Sequence, residues 1–161
     1  MLYFAYGSNL SIDRLYKRCP SSRYIGTATL HGYTLVFRGR PKDAKATIVK
    51  APHGVVVGAV FDMAELDGIA LDRFEGTPEV YRRATVRVID WEGYEATVIT
   101  YMMTAKTDGR PRESYLNHIR SGYKDCGLPL GMIDVAMTGK LPVKAARVVE
   151  EDWDWELGWE C

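Results

Sequence analysis

The stretch ATVRVIDWEGYEATVITYMM, residues 84–103, decides the fold class. Residues 84–90 and 94–103 are rich in Val, Thr, Ile and Tyr, side chains that fit a pleated, half-buried surface. They flank Trp91-Glu92-Gly93, so the stretch reads as a β-hairpin. The same pattern recurs earlier in the chain. Residues 24–30 and 33–37 are β-prone and broken at His31-Gly32, and residues 39–46 read as a polar loop. Residues 46–50 and 55–61 read as a second hairpin, joined through Pro52-His53-Gly54. Residues 2–6 are apolar or aromatic and run into Gly7-Ser8-Asn9, as a buried strand runs into a turn. Strands outnumber helices and are joined mostly by short turns. Antiparallel pairing therefore dominates, which predicts an α+β fold whose sheet curls or closes.

The helices are punctuated by recognisable signals. Ser11 is placed to cap a helix over 12–18, which Pro20 stops. Asp62-Met63-Ala64-Glu65 has the form of a capping box. After it, Leu66, Ile69, Ala70 and Phe74 recur at helical spacing, Gly76 supplies a left-handed cap, and Pro78 prevents continuation. Pro111 opens a third helix that runs to about residue 125, and a short helix fits 132–137.

A chain of 161 residues suits one domain. The 21 basic and 21 acidic side chains cancel, but unevenly. Residues 150–161 carry Glu150, Glu151, Asp152, Asp154, Glu156 and Glu160 with no Lys or Arg, so residues 1–149 hold a net +6. The expected organisation is one domain over 1–149 and an acidic tail over 150–161, with Trp153, Trp155 and Trp159 available to dock it. Lys and Arg are scattered rather than interleaved with aromatics, so no nucleic-acid partner is expected. No apolar run reaches the ~18–20 residues of a membrane span. The start lacks the basic region of a secretory signal, so a cytoplasmic location is expected. Cys19, Cys126 and Cys161 form no paired motif, and His31, His53 and His118 stand at no ligand spacing. No metal and no cofactor is expected.

Two motifs carry candidate chemistry. In Tyr6-Gly7-Ser8-Asn9-Leu10, Gly7 permits a tight turn or close approach to a ligand, and successive backbone N–H groups there can hold a carboxylate or oxyanion. An ordinary strand-to-helix turn would show the same residues. In Leu71-Asp72-Arg73-Phe74-Glu75-Gly76, Glu75 faces the negative end of its helix, with Leu71 one turn back. Both effects raise its proton affinity, the direction a general base and then acid needs near neutral pH. Asp72 reads as a surface carboxylate. Tyr81, Tyr101 and Tyr115 are aromatics with polar tips. Arg38, Arg40, Lys42 and Lys45 form a basic loop that attracts anions or simply solvates.

The octet Tyr3-Phe4-Ala5-Tyr6-Gly7-Ser8-Asn9-Leu10, followed by Leu71-Asp72-Arg73-Phe74-Glu75-Gly76 and then Tyr81, resembles the γ-glutamylcyclotransferase family. Tyr101-Met102-Met103-Thr104 and residues 115–119 leading to Gly127-Leu128-Pro129 extend the likeness to about residues 2–140. The resemblance implies a small, mixed, mostly antiparallel β-barrel with surrounding helices. It also implies release of 5-oxoproline from a γ-glutamyl amide by intramolecular attack of the substrate's α-amine. Glu75 would be the catalytic residue, and Tyr3, Tyr6, Gly7, Ser8, Asn9, Leu10, Tyr81, Tyr101 and Tyr115 would contact substrate. The glutathione-specific branch typically has Leu where Asn9 stands. The partner implied is a small-molecule γ-glutamyl substrate, with the protein a monomer or homodimer. Hydrolysis or transfer of the γ-glutamyl group on the same scaffold is the alternative chemistry. A non-catalytic binding protein is the alternative class, and Glu75 counts against it.

Overall fold

In the computed structural model, the structure describes residues 1–138, so the expected tail over 150–161 lies outside the described residues. The chain runs β1 (Leu2–Ala5), a 3₁₀ turn (Ser8–Leu10), α1 (Ile12–Arg18), β2 (Arg23–Arg40), β3 (Asp43–Asp62), α2 (Glu65–Glu75), β4 (Tyr81–Asp90), β5 (Glu95–Met103), α3 (Glu113–Asp125) and α4 (Gly131–Thr138). The strands close into a barrel in the order β1-β3-β2-β4-β5. All pairings are antiparallel except β1 with β5, which meet in parallel at Tyr3 and Ile99. The expected closed, mostly antiparallel barrel is therefore the observed one.

Its frame is the β2–β3 ribbon, and here the structure corrects two expectations. Residues 46–50 and 55–61 do not form a hairpin with one another. Both belong to β3, and both pair with β2. Pro52-His53-Gly54 is an excursion within β3, opposite the register break between His31 and Tyr33. The reason lies in the face that is buried. Before the break Ala28 and Leu30 point inward; after it Leu35 and Phe37 do. One extra residue switches the inward parity from even to odd, so the ribbon bends without turning its apolar face to solvent. The second correction concerns residues 39–46. They are the tip of this hairpin, with Arg40 paired to Asp43, rather than a loose loop.

The 84–103 hairpin is present as β4 and β5, in register from Tyr81–Met103 to Ile89–Glu95. Two helix readings change. The capping box does not form: Asp62 ends β3, α2 starts after Ala64, and the Ala64 amide donates to Ser21 Oγ instead. The Leu66-Ile69-Phe74 stripe faces outward. Leu71 is the side chain α2 buries completely, while Leu66 is 78% exposed. Ser11 holds the N-cap position of α1 without a side-chain cap bond. Among the described residues no helix is long and apolar enough to cross a membrane.

Candidate active site

Five elements bring their ends to one place. β1 contributes Tyr3 and leads into Tyr6, Gly7, Ser8 and Asn9. α2 ends on Glu75, β4 begins on Tyr81, β5 carries Tyr101, and the first turn of α3 carries Tyr115. With Ala46 of β3, these residues line a narrow cavity of about 30 Å³. Of the expected site residues only Leu10 is outside the lining. It is fully buried in the core, where its carbonyl accepts Cys126 Sγ. The structure places it in the core rather than in the lining of this cavity.

Gly76 explains why Glu75 stops where it does. The residue sits at φ 65°, ψ 42°, the left-handed cap, and its amide returns to the Arg73 carbonyl. An L side chain resists that conformation, so glycine ends the helix one residue after Glu75 and turns the chain away. Gly7 serves by its size: a Cβ there would come within 3.2 Å of Ala46 Cβ and 3.8 Å of the Tyr115 hydroxyl. Among the described residues the Gly7, Ser8 and Asn9 amides donate to no protein acceptor, which leaves three N–H groups beside the cavity.

Asn9 organises the carboxylate. Its Nδ2 donates to Glu75 Oε1 at 2.9 Å and to the Tyr3 hydroxyl at 3.0 Å. Its Oδ1 accepts Arg18 Nη1. Burial raises the Glu75 pKa above its ordinary 4.5; the Asn9 bond and the Arg18 and Arg14 charges pull it down, but by less. The direction matches the sequence reading, with desolvation as the leading cause. Burial also raises the phenols of Tyr3, Tyr6, Tyr81, Tyr101 and Tyr115, so all five keep their protons at neutral pH. Glu75 is the one lining side chain able to exchange a proton there. Cys19 and Cys126 are free and buried, and burial pushes both thiols up to about 11, so neither is poised as a nucleophile. Among the described residues no group of His, Cys, Asp or Glu clusters as a metal site.

This electrostatic arrangement has a stability consequence. A carboxyl whose folded pKa is raised binds its proton more tightly in the native state. The native protein then loses stability as pH climbs from about 4.5 through the raised native value, because ionisation is disfavoured inside. Glu75→Gln removes that loss while keeping an oxygen for Asn9. Its Tm is expected to exceed the parent's at pH 7.5 and to match it near pH 4. A variant less stable than the parent at pH 7.5 would contradict the assignment.

Sequence reasoning missed the roles of three residues. Arg14 and Arg18 stand four apart on α1, one face of one helix, and that spacing directly after the turn was the available signal. Arg18 lies over the Phe74 ring at 3.3 Å, which shields part of the outward stripe of α2. With Lys45, Phe74 and Val80 the two arginines line an outer cavity of about 310 Å³. It adjoins the inner one and shares Ser8, Glu75, Tyr81 and Tyr115 with it. Of the basic hairpin, Lys45 reaches this cavity; Arg38 pairs with Asp108 at 3.0 Å and lines a neighbouring one with Arg40. The third residue, Asp72, is a part-exposed carboxylate that is paired rather than merely solvated. It accepts Arg83 Nε at 2.6 Å and the Tyr101 hydroxyl at 2.8 Å.

A family model described as the AIG2-like family matches residues 55–134. The chain is 36% identical over 137 residues to the γ-glutamylcyclotransferase of Homo sapiens, covering 80% of this chain and 73% of that protein. It is 35% identical over 136 residues to the Mus musculus γ-glutamylcyclotransferase, covering 80% of this chain and 72% of that one. Among solved structures, a γ-glutamyl cyclotransferase superposes with a TM-score of 0.77 at 31% identity, over 92% of this chain and 97% of that one.

Proposed function

The chain belongs to the γ-glutamylcyclotransferase family, and from that premise we propose that it releases 5-oxoproline from a γ-glutamyl amide, with Glu75 moving the proton. The observation that carries this reading is the raised, half-buried carboxylate of Glu75 in a cavity whose other acidic groups are all phenols held protonated.

The reaction asks little of a protein beyond placement. The α-amine and γ-carbonyl belong to one molecule, so closing the five-membered ring needs no covalent enzyme intermediate. Glu75 takes a proton from the α-ammonium, the freed amine attacks the γ-carbon, and an oxyanion develops. The unpartnered amides of residues 7–9 suit that oxyanion. Glu75 then returns the proton to the leaving nitrogen as the C–N bond breaks, and the second proton of the ring nitrogen, shed as the lactam forms, departs on the released amine as its ammonium. Atoms balance: one γ-glutamyl amide yields one 5-oxoproline and one amine.

The outer cavity bears on the leaving amine. Arg14 makes no ion pair among the described residues, and its Nε is buried without a partner. A guanidinium with no ion pair among the described residues, beside Arg18 and Lys45, favours a leaving group that carries a carboxylate, as an amino acid does. Phe74 and Val80 supply the apolar wall. Arg14→Ala is expected to raise KM about tenfold for γ-glutamyl amino acids and to leave γ-glutamyl alkylamides nearly unchanged. Equal effects on both classes would contradict the placement.

A panel of γ-glutamyl amino acids and alkylamides, followed by mass spectrometry for 5-oxoproline, tests the reading. Lactam from at least one member supports it. Free glutamate in its place would favour hydrolysis, and turnover of none would favour the non-catalytic class.

A further inference from the structure

The hydroxyls facing the inner cavity differ in what they have left to offer. Tyr81 donates its proton to the Ala46 carbonyl at 2.8 Å, and Tyr101 donates its proton to Asp72 Oδ1 at 2.8 Å. Each presents only lone pairs to a ligand, and Tyr101 shares one of its own with the Arg83 guanidinium. Tyr3 and Tyr115 are the reverse. Tyr3 accepts Asn9 Nδ2 and Tyr115 accepts the Ala46 amide at 3.1 Å, so each keeps its own proton to give. A cavity with acceptors and donors assigned in advance discriminates the polarity of its ligand.

The geometry points to Asp72 as a positioning residue that fixes the Tyr101 hydroxyl as an acceptor for the substrate's α-ammonium, alongside Glu75. This rests on the γ-glutamyl reading above, which supplies the ammonium. Asp72 lies outside the cavity lining, one helical turn before Glu75, and acts through Tyr101. Its Oδ1 takes both the tyrosine proton and Arg83 Nε at 2.6 Å. Because Arg83 holds the carboxylate in place, Tyr101 cannot rotate its proton into the cavity without abandoning a charged acceptor. An ammonium therefore meets oxygen there, and a ligand lacking the amine gains nothing from the arrangement.

Two unreactive ligands separate this from a general structural role. One is a γ-glutamyl mimic with CH₂–O in place of the γ-carbonyl and the amide nitrogen, which keeps the α-ammonium as its only basic nitrogen at that end and cannot cyclise. The other is its counterpart without the α-amine. Calorimetry measures both against the full-length parent, Asp72→Leu and Asp72→Asn. Leucine removes the acceptor and keeps the bulk; asparagine keeps an oxygen at Oδ1 and drops the charge. Asp72→Leu is expected to weaken the ammonium ligand about tenfold or more, the scale of one hydrogen bond to a charged group, and the amine-free ligand less than twofold. Asp72→Asn is expected to stay within about threefold of the parent on both. Equal weakening of both ligands by Asp72→Leu, or of neither, overturns the proposal. So does an Asp72→Asn that loses as much as Asp72→Leu. If Asp72→Leu does not fold, Tyr101→Phe takes its place with the same selective loss expected, and a uniform or absent loss overturns. Binding is read without turnover, so a parent that yields no 5-oxoproline sinks the proposed reaction separately.

Discussion

Glu75→Gln is expected to lower kcat/KM for 5-oxoproline formation about 10²–10⁴-fold, the range of a removed general acid–base group. Gln preserves the size of the side chain and the oxygen that accepts Asn9 Nδ2. What it loses is the proton traffic, and no neighbour replaces it, because the lining phenols are all pushed up by burial. The pH profile of the parent should agree. The base must be ionised to act, so the acidic limb of kcat/KM should fall above the ordinary carboxylate value, in the direction that burial moves Glu75. Steady-state assays on both proteins with one γ-glutamyl amide check this. A Gln variant within tenfold of the parent would contradict the role, as would an acidic limb at or below the ordinary value.

Gly122→Ala is expected to damage the fold severely, and to lower activity with it. Gly122 lies on α3 against the 3₁₀ turn that follows the site. A Cβ at this position would stand 2.5 Å from the carbonyl carbon and Cβ of Leu10 and 2.5 Å from the Ser11 amide nitrogen. Backbone atoms cannot swing aside as a flexible side chain does. The helix or the turn must move, at about 1–3 kcal/mol for ordinary overpacking and more where main chain shifts. At about 2–4 °C per kcal/mol for a chain of this size, Tm should fall by several degrees. The turn that would move holds Ser8 and Asn9, so kcat/KM should drop as well. Thermal denaturation and kinetics on the same preparation test both halves. An unchanged Tm would show that α3 and the turn are not in the tight contact described.

The site was more legible in the sequence than the strand plan was. Glu75 could be found because three local signals coincide at it: a helix end, a left-handed glycine cap and a proline just beyond. The 6–9 turn is equally local. The β2–β3 ribbon is not. Pro52-His53-Gly54 carries every mark of a turn, but whether a turn or a bulge forms depends on which strand lies alongside, and that information sits some twenty residues away in β2. The outward stripe of α2 misleads for a related reason. Leu66, Ile69 and Phe74 have the spacing of a buried face, yet a short helix resting on a barrel buries only Leu71 and the close-packed Gly68. Phe74 then finds its cover in a cation rather than in the core. Asp72 and Arg14 were hidden because a charged residue on a helix reads as solvated until its partner, or the lack of one, is known.

Turnover of a γ-glutamyl amino acid in H₂¹⁸O tests the central claim most directly. Cyclisation by the substrate's own amine adds no water to the γ-carbon. The account predicts 5-oxoproline free of ¹⁸O, formed in equal amount with the released amino acid and lost in Glu75→Gln. Glutamate carrying ¹⁸O in its γ-carboxylate would contradict it.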